Sequence, residues 1–200
     1  MLLNKSIEFR FNPSLLNQHK WNILRTLWET TGNKSLTFTF EPEGWFIRES
    51  IDTVPVFQLR RDCINLNRYT DLDTFGLLGL SLINLKDSSC IIVEGVSDYI
   101  SAKLCMPDKN ILGVTQLGGS HNAKQILVSM FDNIIICSDN DTAGLNSAFK
   151  WKTLFDKFNI KSTIWQPSFK QFKDLTDEFL FNLKLYQEQD GEGNYSEIMF

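Results

Sequence analysis

The second half of the chain alternates short apolar runs with longer amphipathic stretches. The predicted strands lie at about 89–93, 111–115, 133–138 and 161–165, and the predicted helices at about 96–105, 120–131, 143–158 and 174–186. This alternation is typical of βαβ units and predicts a parallel sheet. Since each strand is apolar on both faces, we expect helices to cover both sides of the sheet.

Residues 1–87 show a different pattern. Apolar and polar residues alternate in KSIEFRF and SLTFTF, EPEGW supplies a turn, and FIRES and VPVFQL follow as short strands. Apolar residues recur near the helical period at about 13–31, and a second helix is predicted over 70–85. The chain therefore divides into a small α+β segment at 1–87, an α/β domain at 88–186 and an acidic flexible tail at 187–200.

Composition excludes several classes of protein. The chain has 200 residues, of which 42% are hydrophobic and 22% charged, as in ordinary globular proteins. The first residues lack the apolar core of a signal peptide, and no stretch has the roughly 18 apolar residues of a membrane span. We therefore expect a cytoplasmic protein without membrane contact. The four cysteines include no C-x-x-C pair, which favours free thiols over a zinc site or disulfides.

Charge is unevenly distributed along the chain. The net charge is −4, and residues 89–200 carry all of it, with 14 acidic and 10 basic residues. All six arginines lie before residue 89. Among them, Arg60, Arg61 and Arg68 are candidates for nucleic-acid binding, since guanidinium groups bind phosphate oxygens in a bidentate geometry. The alternative is that they only solvate an edge strand and its loop.

Two of the predicted strands end in carboxylates. Glu94 and Gly95 follow one strand, and Asp139 and Asp141 follow another, with Gly144 shortly after. Because the carboxyl ends of parallel strands share one edge of a sheet, these acids should converge. Clustered carboxylates repel one another unless a cation lies between them, and oxygen ligands favour Mg²⁺ or Mn²⁺ over zinc. The two glycines would permit tight turns or a close approach of the backbone to a ligand.

A third acidic segment opens the last predicted helix. It contains Lys173, Asp174 and Asp177, and it follows the last strand near the same edge. Asp174 is either a helix N-cap or an outer metal ligand. Lys173 either offsets phosphate charge or is only solvated. Asp98, one helical turn after Glu94, is either an accessory acid or a favourable charge at the start of its helix.

In this order the motifs resemble the Toprim domain, most closely that of bacterial-type DNA primases and phage primase-helicases. The motifs are Glu94-Gly95 with Asp98, then Asp139-x-Asp141-x-Ala143-Gly144, then Lys173-Asp174-x-x-Asp177, and the resemblance covers roughly residues 89–180. It implies a Toprim-like parallel sheet flanked by helices. It also implies that Glu94 is a metal ligand or general acid/base, that Asp139 and Asp141 hold Mg²⁺, and that Asp174 supports a second ion.

The resemblance implies a Mg²⁺- or Mn²⁺-dependent primase-like nucleotidyltransferase that acts in replication on single-stranded DNA with nucleoside triphosphates. A split primase or primase-helicase is the expected setting. Its partners would be a helicase or a zinc-binding primase subunit, because the chain has neither a G-x-x-x-x-G-K-[ST] loop nor a Cys/His cluster. Two alternatives stay open: a small Toprim nuclease that cleaves phosphodiester bonds, and a non-catalytic adaptor in a replication or recombination complex.

Overall fold

The computed structural model of the chain describes residues 13–34, 36–41, 44–51, 54–62, 68–70, 76–114 and 121–188. In these residues the elements are α1 (Pro13–Thr30), β1 (Leu36–Glu41), β2 (Gly44–Ile51), β3 (Val54–Asp62), β4 (Arg68–Thr70), β5 (Leu77–Leu78), a 3-10 turn (Leu80–Leu82), β6 (Ser89–Glu94), α2 (Val96–Cys105), β7 (Ile111–Val114), α3 (His121–Met130), β8 (Asn133–Cys137), α4 (Thr142–Lys157), β9 (Lys161–Trp165) and α5 (Leu175–Glu188). The strands form one sheet of four strands and one of five.

The five-stranded sheet confirms the predicted α/β fold. Its strand order is β5-β7-β6-β8-β9. The four strands β6 to β9 are parallel, and β5 adds an antiparallel edge beside β7. Because β6 and β8 are parallel neighbours, their carboxyl ends lie at the same edge of the sheet.

Two hydrophobic cores lie on opposite faces of this sheet. Helices α1, α2 and α5 pack on one face, where Trp28 and Tyr99 bring their ring centroids to 6.0 Å. Helices α3 and α4 pack on the other face, around Trp151 and Phe155. Because side chains alternate along a strand, the neighbouring residues Ile92 and Val93 of β6 enter different cores.

The N-terminal segment consists of α1 and the antiparallel sheet β1-β2-β3-β4. Helix α1 packs against α2 through the first of the two cores. The carboxylate of Glu49, on β2, is only 1% exposed, and it accepts hydrogen bonds from the backbone N–H groups of Gly79 (2.6 Å) and Ser81 (2.8 Å). These bonds attach the antiparallel sheet to the chain that enters the five-stranded sheet.

Our prediction of a second helix over 70–85 is wrong for the part of this stretch that the structure describes. Residues 76–85 contain β5 and the 3-10 turn, and residues 71–75 lie outside the described residues. Gly76 and Gly79 have φ angles of 69° and 101°, which interrupt a helix. A Cβ on Gly79 would also lie 2.5 Å from the carbonyl oxygen of Ile111. The proposed boundary near residue 87 stays a prediction, although β5 already belongs to the five-stranded sheet.

The end of the described chain differs slightly from the predicted tail. Helix α5 continues to Glu188, and residues 189–200 lie outside the described residues. Within the part of the chain that the structure describes, no helix has the length and apolar character needed to cross a bilayer. The described cysteines Cys90, Cys105 and Cys137 are free thiols, and burial raises the pKa of each, to about 12 for Cys105.

Candidate metal centre

Three carboxylates converge at the edge of the sheet where β8 ends. Asp98, Asp139 and Asp174 each offer one oxygen, and these oxygens lie within 4.8 Å of one another. Asp98 is in the first turn of α2, Asp139 follows β8, and Asp174 precedes α5. Since each acid comes from a different element, the fold itself assembles a group of hard oxygen donors, which is the type that Mg²⁺ prefers.

Asp139 is a carboxylate whose surroundings oppose its charge. Its side chain is 17% exposed, and its Oδ2 lies 3.1 Å from Nζ of Lys173. Burial raises the pKa of Asp139, and the neighbouring Asp174 and Asp141 raise it further, whereas Lys173 lowers it. Burial alone would lower the pKa of Lys173, but the hydrogen bond to Asp139 raises it overall. The lysine thus partly neutralises a carboxylate whose surroundings oppose its charge.

Asn140 fixes the position of that lysine. Its backbone N–H donates to the carbonyl oxygen of Lys173 at 2.6 Å. Its side-chain amide donates to the carbonyl oxygens of Phe169 (3.3 Å) and Phe172 (3.2 Å). Sequence reasoning assigned Asn140 no role beyond separating two acids, because nothing in a D-x-D pattern shows that the middle residue binds a loop 30 residues away. The structure makes it the link between the second and third motifs.

The third motif is built as a helix start. Oδ1 of Asp174 accepts from the backbone N–H of Asp177 at 2.8 Å, which is the geometry of an N-cap. Oδ2 of Asp177 accepts from the backbone N–H of Lys173 at 3.2 Å. The cap reading of Asp174 is therefore correct, and its role as a metal ligand stays a prediction. The two readings are compatible, because a carboxylate has two oxygens with about four acceptor positions.

Asp98 is buried, and the start of α5 holds its side chain. Its side chain is 5% exposed, and its Oδ1 accepts from both the backbone N–H (3.0 Å) and the hydroxyl (2.6 Å) of Thr176. The hydroxyl of Ser101 lies 3.3 Å from that of Thr176. These bonds join the first turn of α2 to the first turn of α5, and so they hold Asp98 beside Asp174.

This link predicts a stability effect for Thr176→Val. The substitution keeps the shape of the side chain but removes the hydroxyl donor from the buried Asp98, so we expect unfolding free energy to fall by about 2 kcal/mol. Chemical denaturation measures the change. Thr153→Val is the matched control, since the Thr153 hydroxyl only bonds its own helix, at the exposed carbonyl of Phe149. A loss no larger than that of the control would contradict a structural role for the Asp98–Thr176 pair.

Asp141 and Gly144 shape the turn from β8 into α4. Oδ1 of Asp141 accepts from the backbone N–H of Gly144 at 2.8 Å and caps the helix. A Cβ added to Gly144 would lie 2.5 Å from the carbonyl oxygen of Asp139 and 2.8 Å from its Cβ. Only glycine leaves room for the helix to start this close to Asp139. The spacing between the acid pair and the glycine therefore reflects packing at the site.

Glu94 lines a small cleft between β6, β8 and α4. It is the last residue of β6, half-buried, and it shares the cleft with Ser138, Gly144 and Ser147. The hydroxyl of Ser138 is buried and has no hydrogen-bond partner among the described residues. Gly95 follows with a φ of 101°, and its N–H donates to the carbonyl of Val114 at 2.9 Å. The cleft has a volume of about 10 Å³, which leaves room for one water molecule at most beside the Ser138 hydroxyl.

The carboxylates that converge are thus not the three predicted as the principal acids. Of Glu94, Asp139 and Asp141, only Asp139 belongs to the group of three, and Asp98 and Asp174 complete it. The roles predicted for all five acids stay predictions. Arg60 and Arg61 lie on β3 and Arg68 on β4, where Arg61 pairs with Arg68 in register. Their side chains lie outside the part of the chain whose side chains are described.

Comparison with known proteins finds one matching family model and several structures of similar fold. The family model described as Toprim-like matches residues 91–180, the stretch that contains all three acidic motifs. No curated protein sequence matches the chain.

Among solved structures, the E. coli primase catalytic core matches with a TM-score of 0.55 and 15% identity, over 88% of this chain and 59% of that chain. The DnaG primase catalytic domain bound to single-stranded DNA matches with a TM-score of 0.52 and 15% identity, over 78% and 56%. A chain from a bacteriophage T7 assembly matches with a TM-score of 0.54 and 16% identity, over 83% and 86%. That assembly contains lagging-strand DNA polymerase and primase domains bound to an RNA/DNA hybrid and dTTP. At such identities the likeness shows a shared fold, and the chain spans less than two thirds of the two DnaG-type structures.

Proposed function

We propose that this chain, whose residues 91–180 match a Toprim-like family model, is a Mg²⁺-dependent, primase-like nucleotidyltransferase acting on single-stranded DNA. The observation that carries the proposal is the convergence of Asp98, Asp139 and Asp174 at the carboxyl edge of a sheet with the fold of primase cores. The ligand-binding crevice of an open parallel sheet lies at this edge.

The residues present fit a divalent cation of the Mg²⁺ type. The donors are carboxylate oxygens, and no thiol or imidazole joins the described group. Asp98, Asp139 and Asp174 would hold one ion, with Glu94 and Asp141 as predicted ligands of this or a second ion. When bound, such ions stabilise the charge that develops on the attacking and leaving oxygens at phosphorus.

The chain's own residues supply the rest of the mechanism. Lys173 is 64% exposed, so its ammonium can turn from Asp139 towards a phosphate while Asn140 and Asp177 hold its backbone in place. Glu94 is the residue we assign to accept a proton from the attacking hydroxyl, since it ends β6 at the carboxyl edge of the sheet and is half-buried. The hydrogen-bonded helix starts keep these groups oriented before substrate binds.

The proposed substrates are a single-stranded DNA template and nucleoside triphosphates. The similar DnaG domain was solved with single-stranded DNA, and the T7 assembly with an RNA/DNA hybrid and dTTP. Arg60, Arg61 and Arg68 of the N-terminal sheet are proposed to bind template phosphates. A helicase or a zinc-binding primase subunit is the proposed partner, because primer synthesis needs template recognition and strand separation.

A gel assay tests the proposal directly. The assay compares three proteins: the parent chain, Glu94→Gln and the control Asp156→Asn, which changes an exposed acid on α4. Each protein is incubated with labelled single-stranded DNA and Mg²⁺ or Mn²⁺, with and without labelled nucleotides. We expect nucleotide-dependent short oligomers with the parent and the control but not with Glu94→Gln. If the labelled DNA is shortened in the absence of nucleotides, the nuclease alternative replaces the proposal. DNA binding without either product would favour the adaptor.

Lys173→Met should separate nucleotide binding from metal binding. We expect the KM for nucleotides to rise about tenfold to a hundredfold, because a phosphate contact is lost. Binding of Mn²⁺ to the nucleotide-free protein should not weaken, since the substitution removes a competing cation from Asp139. Steady-state kinetics and metal titration measure the two effects, with Lys170→Met in the same loop as the control. Equal effects of the two substitutions would mean that Lys173 does not contact the nucleotide.

A further inference from the structure

The loop between β9 and α5 carries an exposed aromatic ring. This loop, residues 166–173, reads QPSFKQFK and contains two lysines and no acid. The side chain of Phe169 within it is 60% exposed. Single exposed apolar side chains are ordinary on protein surfaces, so exposure alone indicates no function. The contacts of Phe169 and its position relative to the acidic edge distinguish it from the other exposed phenylalanines.

The backbone of this loop is bonded to the segment that follows β8. The carbonyl oxygen of Phe169 accepts a hydrogen bond from the side-chain amide of Asn140 at 3.3 Å. The backbone N–H of Ser168 donates to the buried carboxylate of Glu178, in the first turn of α5, at 3.1 Å. The main chain of Phe169 therefore lies one hydrogen bond away from the residue that directly follows Asp139.

The ring of Phe169 is held in place by a second phenylalanine. The backbone N–H of Phe172 donates to the carbonyl oxygen of Phe169 at 3.0 Å and closes a turn. The two ring centroids are 5.8 Å apart with the ring planes at 84°, which is an edge-to-face pair. Phe172 is only 7% exposed, and its ring centroid lies 5.2 Å from that of Phe181 on α5. Phe169 is thus packed against a buried neighbour while most of its side chain faces solvent.

A phosphate-binding group lies at the other end of the same loop. The ammonium of Lys173 is 64% exposed and lies 3.1 Å from Oδ2 of Asp139. A nucleotide whose phosphate lay beside Lys173 would carry its base one sugar away, at the same edge of the sheet. Aromatic side chains bind unpaired bases by stacking, whatever the base, because every base has a π-face. The positive charge of the loop favours such a ligand over a protein partner.

We propose that Phe169 stacks on an unpaired nucleobase of the substrate while Lys173 contacts its phosphate. The proposal rests on the proposed function, since it concerns the substrate of the same site. The base belongs either to the single strand or to the nucleoside triphosphate, which share this ring chemistry. Phe169 would then position the substrate without touching the metal.

Binding to a DNA strand with and without bases tests the first source. Fluorescence anisotropy compares the parent, Phe169→Ala and Phe169→Trp on labelled oligo(dT) and on the same sugar-phosphate backbone without bases, in Mg²⁺ and without nucleotides. Phe169→Ala should lower the affinity for oligo(dT) at least about fivefold and leave the affinity for the baseless strand unchanged. Phe169→Trp should retain the parent affinity. The salt dependence should stay the same, since no phosphate contact is lost.

Binding of ATP and of inorganic triphosphate tests the second source. Calorimetry with Mg²⁺ should show weaker binding of ATP to Phe169→Ala and unchanged binding of inorganic triphosphate, which has no base. Phe158→Ala is the matched control for both ligands pairs. Phe158 is 57% exposed, but it follows the last turn of α4, whose 16 residues extend about 24 Å from the start of the helix near Asp139.

The outcomes assign the base or overturn the proposal. A loss on oligo(dT) alone assigns the base to the strand, and a loss on ATP alone assigns it to the nucleotide. If Phe169→Ala binds both as the parent does, or loses as much on the baseless ligands, Phe169 does not stack on a base. Thermal unfolding checks that the variants are folded, as expected for an exposed side chain. A parent that binds neither DNA nor ATP overturns the proposed function as well, whereas an unchanged base preference overturns only the stacking.

Discussion

Replacing Asp139 with asparagine should remove metal-dependent activity and, at the same time, stabilise the metal-free protein. The loss of a carboxylate ligand should reduce activity about a thousandfold or more, since several kcal/mol of charge stabilisation depend on the cation. The gain in stability arises because burial and two neighbouring acids disfavour the charged form of Asp139, as its raised pKa indicates. Asparagine resembles the neutral form, so about 1 kcal/mol of stabilisation is expected.

The ion pair with Lys173 opposes this gain but should not reverse it. Its ammonium is largely exposed, and exposed pairs contribute little. Thermal unfolding in the presence of a chelator measures stability, and the same scan with Mg²⁺ measures ligand-induced stabilisation, which the variant should lack. Asp132→Asn, an exposed acid just before β8, is the control and should change neither. A lower melting temperature of the metal-free variant would mean that the ion pair outweighs the repulsion.

Gly144→Ala should destabilise the protein by about 3 kcal/mol, although alanine is the better helix former. Helix propensity alone would favour alanine by about 1 kcal/mol. The added Cβ, however, would meet the carbonyl oxygen, Cβ and backbone nitrogen of Asp139 at 2.5, 2.8 and 2.9 Å. These atoms belong to the backbone or its first side-chain carbon, so no rotamer change relieves the overlap. Either the start of α4 or Asp139 must move.

Two controls separate this clash from ordinary helix effects. Asn146→Ala, at an exposed position of the same helix, should be neutral or slightly stabilising. Gly32→Ala, where φ is 68° but no atom lies within 4 Å of the new Cβ, should cost about 1 kcal/mol from backbone strain alone. Urea denaturation ranks the three variants by their free energy of unfolding. If Gly144→Ala unfolds at the same urea concentration as the parent, the turn is more tolerant than its packing indicates.

The elements of the α/β domain could be predicted from sequence because each one satisfies a local rule. Four apolar runs and four amphipathic stretches became strands and helices within a few residues of their predicted bounds. The structure of the chain around residue 80 could not be predicted in this way. The positive φ angles of Gly76 and Gly79 and the close approach of Gly79 to Ile111 depend on tertiary packing.

The region of the candidate site was predictable, whereas the group of carboxylates that lie together was not. The motif order identified the edge of the sheet, and of the three principal acids Asp139 belongs to that group. The inclusion of Asp98 depends on the bonds to Thr176, and the position of Lys173 depends on Asn140. Both are long-range hydrogen bonds between polar residues without periodicity, so hydrophobic patterning carries no information about them.

The bond between Asp98 and Thr176 also has a consequence for how the protein forms during synthesis. The two residues are 78 positions apart, and contacts of such separation cost more chain entropy and form slowly. A ribosome-bound chain that still holds α5 in the exit tunnel would have the strands but neither Asp174 nor the partner of Asp98. We therefore expect nascent chains to acquire metal affinity only after α5 has emerged.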